Sequence, residues 1–158
     1  MGRNSVKSVV AVALLSLLGT APRAAAGNDL PLKGSFTFQT VSSSAPDEYG
    51  NVVQQIVGEG TASHLGRSTV SATHVLNLFT GQFTSTFTVT AANGDKAYGT
   101  AEGQIFPDGS FEETLQFNGG TGRFANATGS ATGTGELDFV TQEATETLVG
   151  TISGVGGK

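Results

Sequence analysis

The sequence predicts an all-β protein, a closed antiparallel barrel of eight strands in up-and-down order, and three observations predict it. From Lys33 onward polar and apolar residues alternate with period two, as in Phe83, Ser85, Phe87 and Val89 against Gln82, Thr84, Thr86, Thr88 and Thr90, which gives a strand one dry face. Turn formers recur every ten to fifteen residues, at Pro46 to Asn51, Leu65-Gly66, Thr80-Gly81, Asn93-Gly94, Pro107-Asp108-Gly109 and Asn118 to Gly122, so consecutive strands pair as hairpins. No amphipathic helix is available to cover the dry face, and closing the sheet removes both that surface and its two edges. A two-sheet sandwich fits the same alternation, and periodicity alone does not separate the two.

The N-terminal segment stands apart from this pattern. Arg3 and Lys7 precede an apolar stretch, Ser8 to Leu18, that is too short to span a bilayer, and Ala24-Ala25-Ala26 supplies small residues for cleavage. Residues 1–26 therefore read as a signal peptide cut after Ala26, leaving no stable membrane anchor, with 27–32 a short linker and 33–158 the barrel. The expected location is secreted or periplasmic.

The expected strands are Lys33 to Val41, Val52 to His64, Arg67 to Phe79, Gln82 to Ala92, Asp95 to Ile105, Ser110 to Asn118, Thr128 to Val140 and Glu143 to Ser153. Gly58, Gly60, Gly99, Gly103, Gly129, Gly133 and Gly135 share the parity of the apolar positions; small residues there let strands bend, leave room inside, or admit side chains from the opposite wall. Between the sixth and seventh strands the alternation fails, and Arg123 to Ala127 reads as one helical turn after a glycine loop. Arg123, the lone cation in that loop, has two readings, a grip on an anionic ligand or a pairing with Asp138 or Glu136, and pairing is the expected one.

Composition narrows the function. Charged residues are 13% of the 158, and the net charge is −5, so nucleic acid is an unsuitable partner. With no cysteine, disulfides, thiolate metal sites and cysteine nucleophiles are excluded. Two histidines are too few for a metal centre on their own, and no metal is expected. Gly120-Thr121-Gly122 lacks the Lys-Ser/Thr pair of a phosphate loop, and no serine sits in a nucleophile elbow.

Four ionisable residues interrupt the dry face: His64, His74, Glu113 and Glu146. In a meander His74, Glu113 and Glu146 fall toward one rim and His64 toward the other; keeping His64 inside requires a bulge near Leu65-Gly66-Arg67. A carboxyl on an apolar wall has a raised pKa, and one near an imidazole can exchange protons with it. His74, Glu113 and Glu146 are thus candidate acid/base residues, although the same groups equally suit a structural hydrogen bond. Phe36, Phe38, Phe83, Phe87, Phe111, Phe117 and Phe139 share the inward parity and, with His64, would line a cavity for a small hydrophobic ligand, or else simply fill the core.

The run from Gly119 through Arg123 to Gly133, and the segment Gly58 to Arg67, resemble stretches of the allene oxide cyclase-like barrels, the superfamily that includes the dirigent proteins. The resemblance implies an eight-stranded barrel with a central cavity, often assembled as a trimer, that guides cyclisation or coupling of a hydrophobic intermediate with no cofactor. The functional expectation is an exported barrel that binds a small hydrophobic molecule, with isomerase or cyclase activity as its extension. The competing expectation is a structural or interaction barrel with a filled core.

Overall fold

The structure, a computed structural model, describes residues 28–156; the expected signal peptide lies outside them. Eight strands follow one another: β1 (Leu30–Ser43), β2 (Asn51–Ala62), β3 (Gly66–Asn77), β4 (Gln82–Ala91), β5 (Lys96–Ile105), β6 (Ser110–Gly120), β7 (Thr128–Asp138) and β8 (Glu143–Ser153). Each pairs antiparallel with the next, and β1 pairs with β8 from Leu30 opposite Ile152 to Gln39 opposite Glu143. That last ladder closes the barrel and rules out the sandwich. β1 starts at Leu30, inside the expected linker, because Leu32 is fully buried and its backbone continues the β8 ladder.

The inward parity is the expected one along all eight strands, with threonines of β4, β5, β6, β7 and β8 facing out. The interior glycines have a definite job, because each faces a large side chain across the ladder. Phe36 lies opposite Gly60 and Phe38 opposite Gly58; Phe83 lies opposite Gly103 and Phe87 opposite Gly99; Phe111 lies opposite Gly135 and Phe117 opposite Gly129. A methyl at Gly58, Gly60, Gly99, Gly103 or Gly135 would strike the ring of its partner. The rings thus lie flat over neighbouring strands, which fills the wall without filling the centre.

The two ends differ. One carries the β2–β3, β4–β5 and β6–β7 connections and is sealed: Leu32, Leu65, Phe124 and Ile152 are all fully buried. The expected helical turn is a 3-10 turn at Gly122–Phe124, which drives Phe124 into the barrel. Arg123 does not pair with Asp138 or Glu136, which lie toward the far rim. Its guanidinium stands 4.6 Å from the Phe124 ring centroid and donates through Nη2 to the Leu65 carbonyl at 3.0 Å, while its backbone N–H donates to Asp95. The other end, formed by the β1–β2, β3–β4, β5–β6 and β7–β8 loops, is open.

Candidate functional site

A cavity of about 470 Å³ runs from the open rim down to Leu65 and Phe117. Its walls are Phe36, Phe38, Phe83, Phe87, Phe111 and Phe117 with Val70, Leu76, Leu115 and Leu148; Gln54, Ser85, His74, Glu113 and Glu146 supply the polar groups. Of the expected aromatic lining, Phe139 differs in setting. β7 ends at Asp138, so Phe139 belongs to the β7–β8 turn, 52% exposed, and forms part of the cavity mouth rather than its wall. Leu78, Phe79 and Phe106 join it at the rim, each an exposed apolar side chain; alternation does not extend into loops, so of this collar only Phe139 and Leu78 are marked by their parity.

His64 is not a lining residue. β2 stops at Ala62, which pairs with Gly66 across a three-residue loop. His64 takes a left-handed backbone there (φ 65°) and points to solvent, while Leu65 turns inward in its place with only 1% exposure. The expected bulge is a hairpin loop, and it inverts which of the two neighbours faces the core.

Glu113 and Glu146 do come together, by a route the strand order obscures. They stand on β6 and β8, which do not touch; β7 runs between them. Glu113 faces Gly133 across one ladder, and Glu146 faces Gly135 across the other. With no side chain at either glycine, both carboxyl arms reach over β7. A β-carbon placed on Gly133 would collide with Glu146 Oε1 and lie 3.0 Å from Glu113 Cγ. Any larger residue at 133 would stand between the two acids.

Burial, then the nearby Glu113 charge, pushes the Glu146 carboxyl up to about 9, and burial also raises that of Glu113. Two carboxyls in contact in a poorly solvated site cannot both ionise readily. Glu146 therefore keeps its proton at neutral pH and donates it to Glu113, the side of the pair that takes the negative charge. Among the described residues no N–H or hydroxyl reaches Glu146 Oε1, although the residue is only 5% exposed.

His74 lies on the same belt but not in the same contact. Its ring stacks on Phe83, centroids 4.8 Å apart at 14°. Phe83 Cζ and Glu113 Cβ each lie 2.7 Å from where a Gly103 β-carbon would be, so the phenyl ring separates the imidazole from the acids. Burial alone lowers the His74 pKa to about 4, with no opposing contribution from either carboxyl, so the ring is neutral at pH 7. The site thus offers a proton donor and acceptor in the glutamate pair and a neutral imidazole beyond one aromatic ring. Among the described residues no three metal-binding side chains converge.

No family model and no curated protein matches the chain. Among solved structures it is similar to two pterocarpan synthase dirigent proteins. PsPTS1 superposes with a TM-score of 0.61 at 15% identity, over 82% of this chain and 97% of that one. GePTS1 gives 0.61 at 16% identity, over 82% and 87%. The chain has the eight-stranded barrel fold of the dirigent proteins.

Proposed function

We propose that this protein binds a small hydrophobic molecule inside its barrel, admitting it through the open rim and holding it against the Glu113–Glu146 pair. The observation that carries this reading is the cavity itself. About 470 Å³ lies within the range of small-molecule sites, and an apolar wall with a few convergent polar groups is their usual composition. The filled-core alternative has no support in the upper barrel, where the phenylalanines lie along the wall. The apolar collar of Leu78, Phe79, Phe106 and Phe139 gives such a ligand a dry path inward. The signal-peptide pattern of residues 1–26 supports action outside the cytoplasm.

One observation favours a further step from binding to turnover. A carboxylic acid that stays protonated at neutral pH, hydrogen-bonded to a carboxylate, can protonate a ligand at one atom while the carboxylate accepts a proton from another. Isomerisation or cyclisation of a bound hydrophobic molecule needs only such transfers.

The direct test is thermal unfolding in the presence of a panel of small apolar and aromatic compounds. A ligand that binds only the folded barrel raises the midpoint, by about 2.7 kcal/mol of stability at a hundredfold excess over its Kd. No shift across a broad panel overturns the proposal. If a binder is also a substrate, Glu146→Gln abolishes turnover while leaving the binder's midpoint shift in place.

A further inference from the structure

The charges of the barrel are sorted between its ends. All four described cations, Lys33, Arg67, Lys96 and Arg123, lie at the sealed end, on its strand ends and its 3-10 turn. Among the described residues the open rim carries Asp47, Glu48, Asp108, Asp138 and Glu143 and no Lys or Arg. Asp47 accepts hydrogen bonds from the Asn51 side chain and from turn N–H groups, Asp108 from the Ser110 hydroxyl and N–H, and Asp138 from the N–H groups of Thr141 and Val140, which hold them ionised to lower pH than usual. The cavity continues the pattern, because its lining includes no Lys or Arg. Its ionisable groups are His74, Glu113 and Glu146.

Around the two acids the wall is aromatic. Phe36 pairs with Glu146 across the β1–β8 ladder, Phe111 covers Gly135 beside it, and Phe83 reaches Glu113 over Gly103. Ring faces are electron-rich and attract cations. Glu146, only 5% exposed, lines the cavity beside Glu113, so a donor that enters meets the pair among these rings.

From these placements we infer that the ligand class this cavity selects is a small hydrophobic amine bound as its ammonium ion, its N–H groups on Glu113 and Glu146 and its apolar body among Phe36, Phe83 and Phe111. This rests on the cavity-binding reading above and sharpens it. A carboxylate of the same shape passes five acidic side chains at the rim and meets no positive partner inside. A neutral alcohol avoids that repulsion but gains no charge-assisted hydrogen bond.

The test is calorimetric titration of the protein at pH 7 with 2-naphthylethylamine, 2-naphthylethanol and 2-naphthylacetate, which share a ring and differ in charge. The amine is expected to bind about tenfold or more tightly than the alcohol, with the acetate weakest. In Glu113→Gln/Glu146→Gln the amine falls to the affinity of the alcohol, which itself changes little. Should the double variant fail to fold, Glu113→Gln and Glu146→Gln are titrated singly, and each narrows the lead of the amine over the alcohol. An alcohol that binds as tightly as the amine, an acetate that binds best, or an amine preference that survives in the variant overturns the inference. So does an amine that fails to bind where neutral apolar compounds succeed, and in each of these cases the cavity-binding reading stands. Silence from all three naphthyl compounds and from the wider apolar panel removes the cavity-binding reading, and this inference with it.

Discussion

The sealed and open ends of the barrel are made by the same strands, and they solve opposite problems. At the sealed end the 3-10 turn pushes Phe124 between Leu32, Leu65 and Ile152, and Ala91, Ala97, Ala127 and Ala131 keep the walls close enough to touch it. Toward the open end Gly103 and Gly135 take inward positions, and the rings of Phe83 and Phe111 on neighbouring strands lie over them. Small residues therefore have two uses in one barrel. Alanine next to a plug closes the lumen; glycine next to a phenylalanine keeps it open by letting the ring lie against the wall.

If the sealed end supplies the packing, the largest effect on stability comes from removing its plug. Phe124→Ala takes away a fully buried ring that cannot be replaced by collapse of a closed strand ring, so a loss of about 3–5 kcal/mol is expected in denaturant unfolding. Phe139→Ala, at the opposite rim and half exposed, should cost less than about 0.5 kcal/mol. Comparable losses for the two would break the division of the barrel into a packed half and a working half.

A smaller effect tests the working half. The Glu146 carboxyl is raised in the folded state from 4.5 to about 9, so the folded barrel binds more protons than the unfolded chain between those limits. The stability it contributes is full below about pH 4.5 and is lost as pH rises toward 9. Glu146→Gln removes that loss, and the variant should be more stable than the parent by about 1–3 kcal/mol at pH 8 while matching it at pH 4. His74 works with the opposite sign. Its pKa is depressed from 6.5 to about 4, so its contribution is full above 6.5 and is lost as pH falls to 4. Unfolding curves at several pH values separate the two limbs, and a Glu146→Gln curve parallel to the parent's above pH 5 would show the carboxyl to be normally ionised.

Much of this was legible in the residues. Alternation placed Phe36, Phe83, Phe87, Glu113 and Glu146 on the inner face, and glycine-bearing turns located the hairpins to within a few residues. The failures fall where backbone conformation changes within a loop. His64 shares the parity of β2, but a left-handed residue in a three-residue hairpin turns it out and brings Leu65 in. Phe139 has the right parity and lies one residue beyond the last ladder pair, Asp138 with Glu143. Charge alone pairs Arg123 with Asp138 or Glu136, yet its guanidinium is held by a carbonyl and a ring at the other end of the molecule. The meeting of Glu113 and Glu146 was hidden for a different reason. It depends on the registers of two ladders at once, and on a glycine, rather than another residue of inward parity, being the one between them.

That glycine permits the finest test of the comparison. Gly133→Ala turns one position of the open half into the kind of residue the sealed half uses. The methyl fits the extended backbone, and its obstacle is the movable end of Glu146 rather than main chain. The clash and the reduced entropy of the unfolded chain should nearly cancel, leaving a change within about 1 kcal/mol at pH 4. Its signature is instead in the alkaline limb. A methyl between the acids removes the Glu113 charge from the neighbourhood of Glu146 and leaves burial as the remaining cause of the raised pKa. The loss of stability between pH 4.5 and 9 should then become shallower than in the parent without vanishing as it does in Glu146→Gln. An unchanged slope would mean that burial alone holds the proton on Glu146, and that the acids meet over β7 without sensing one another.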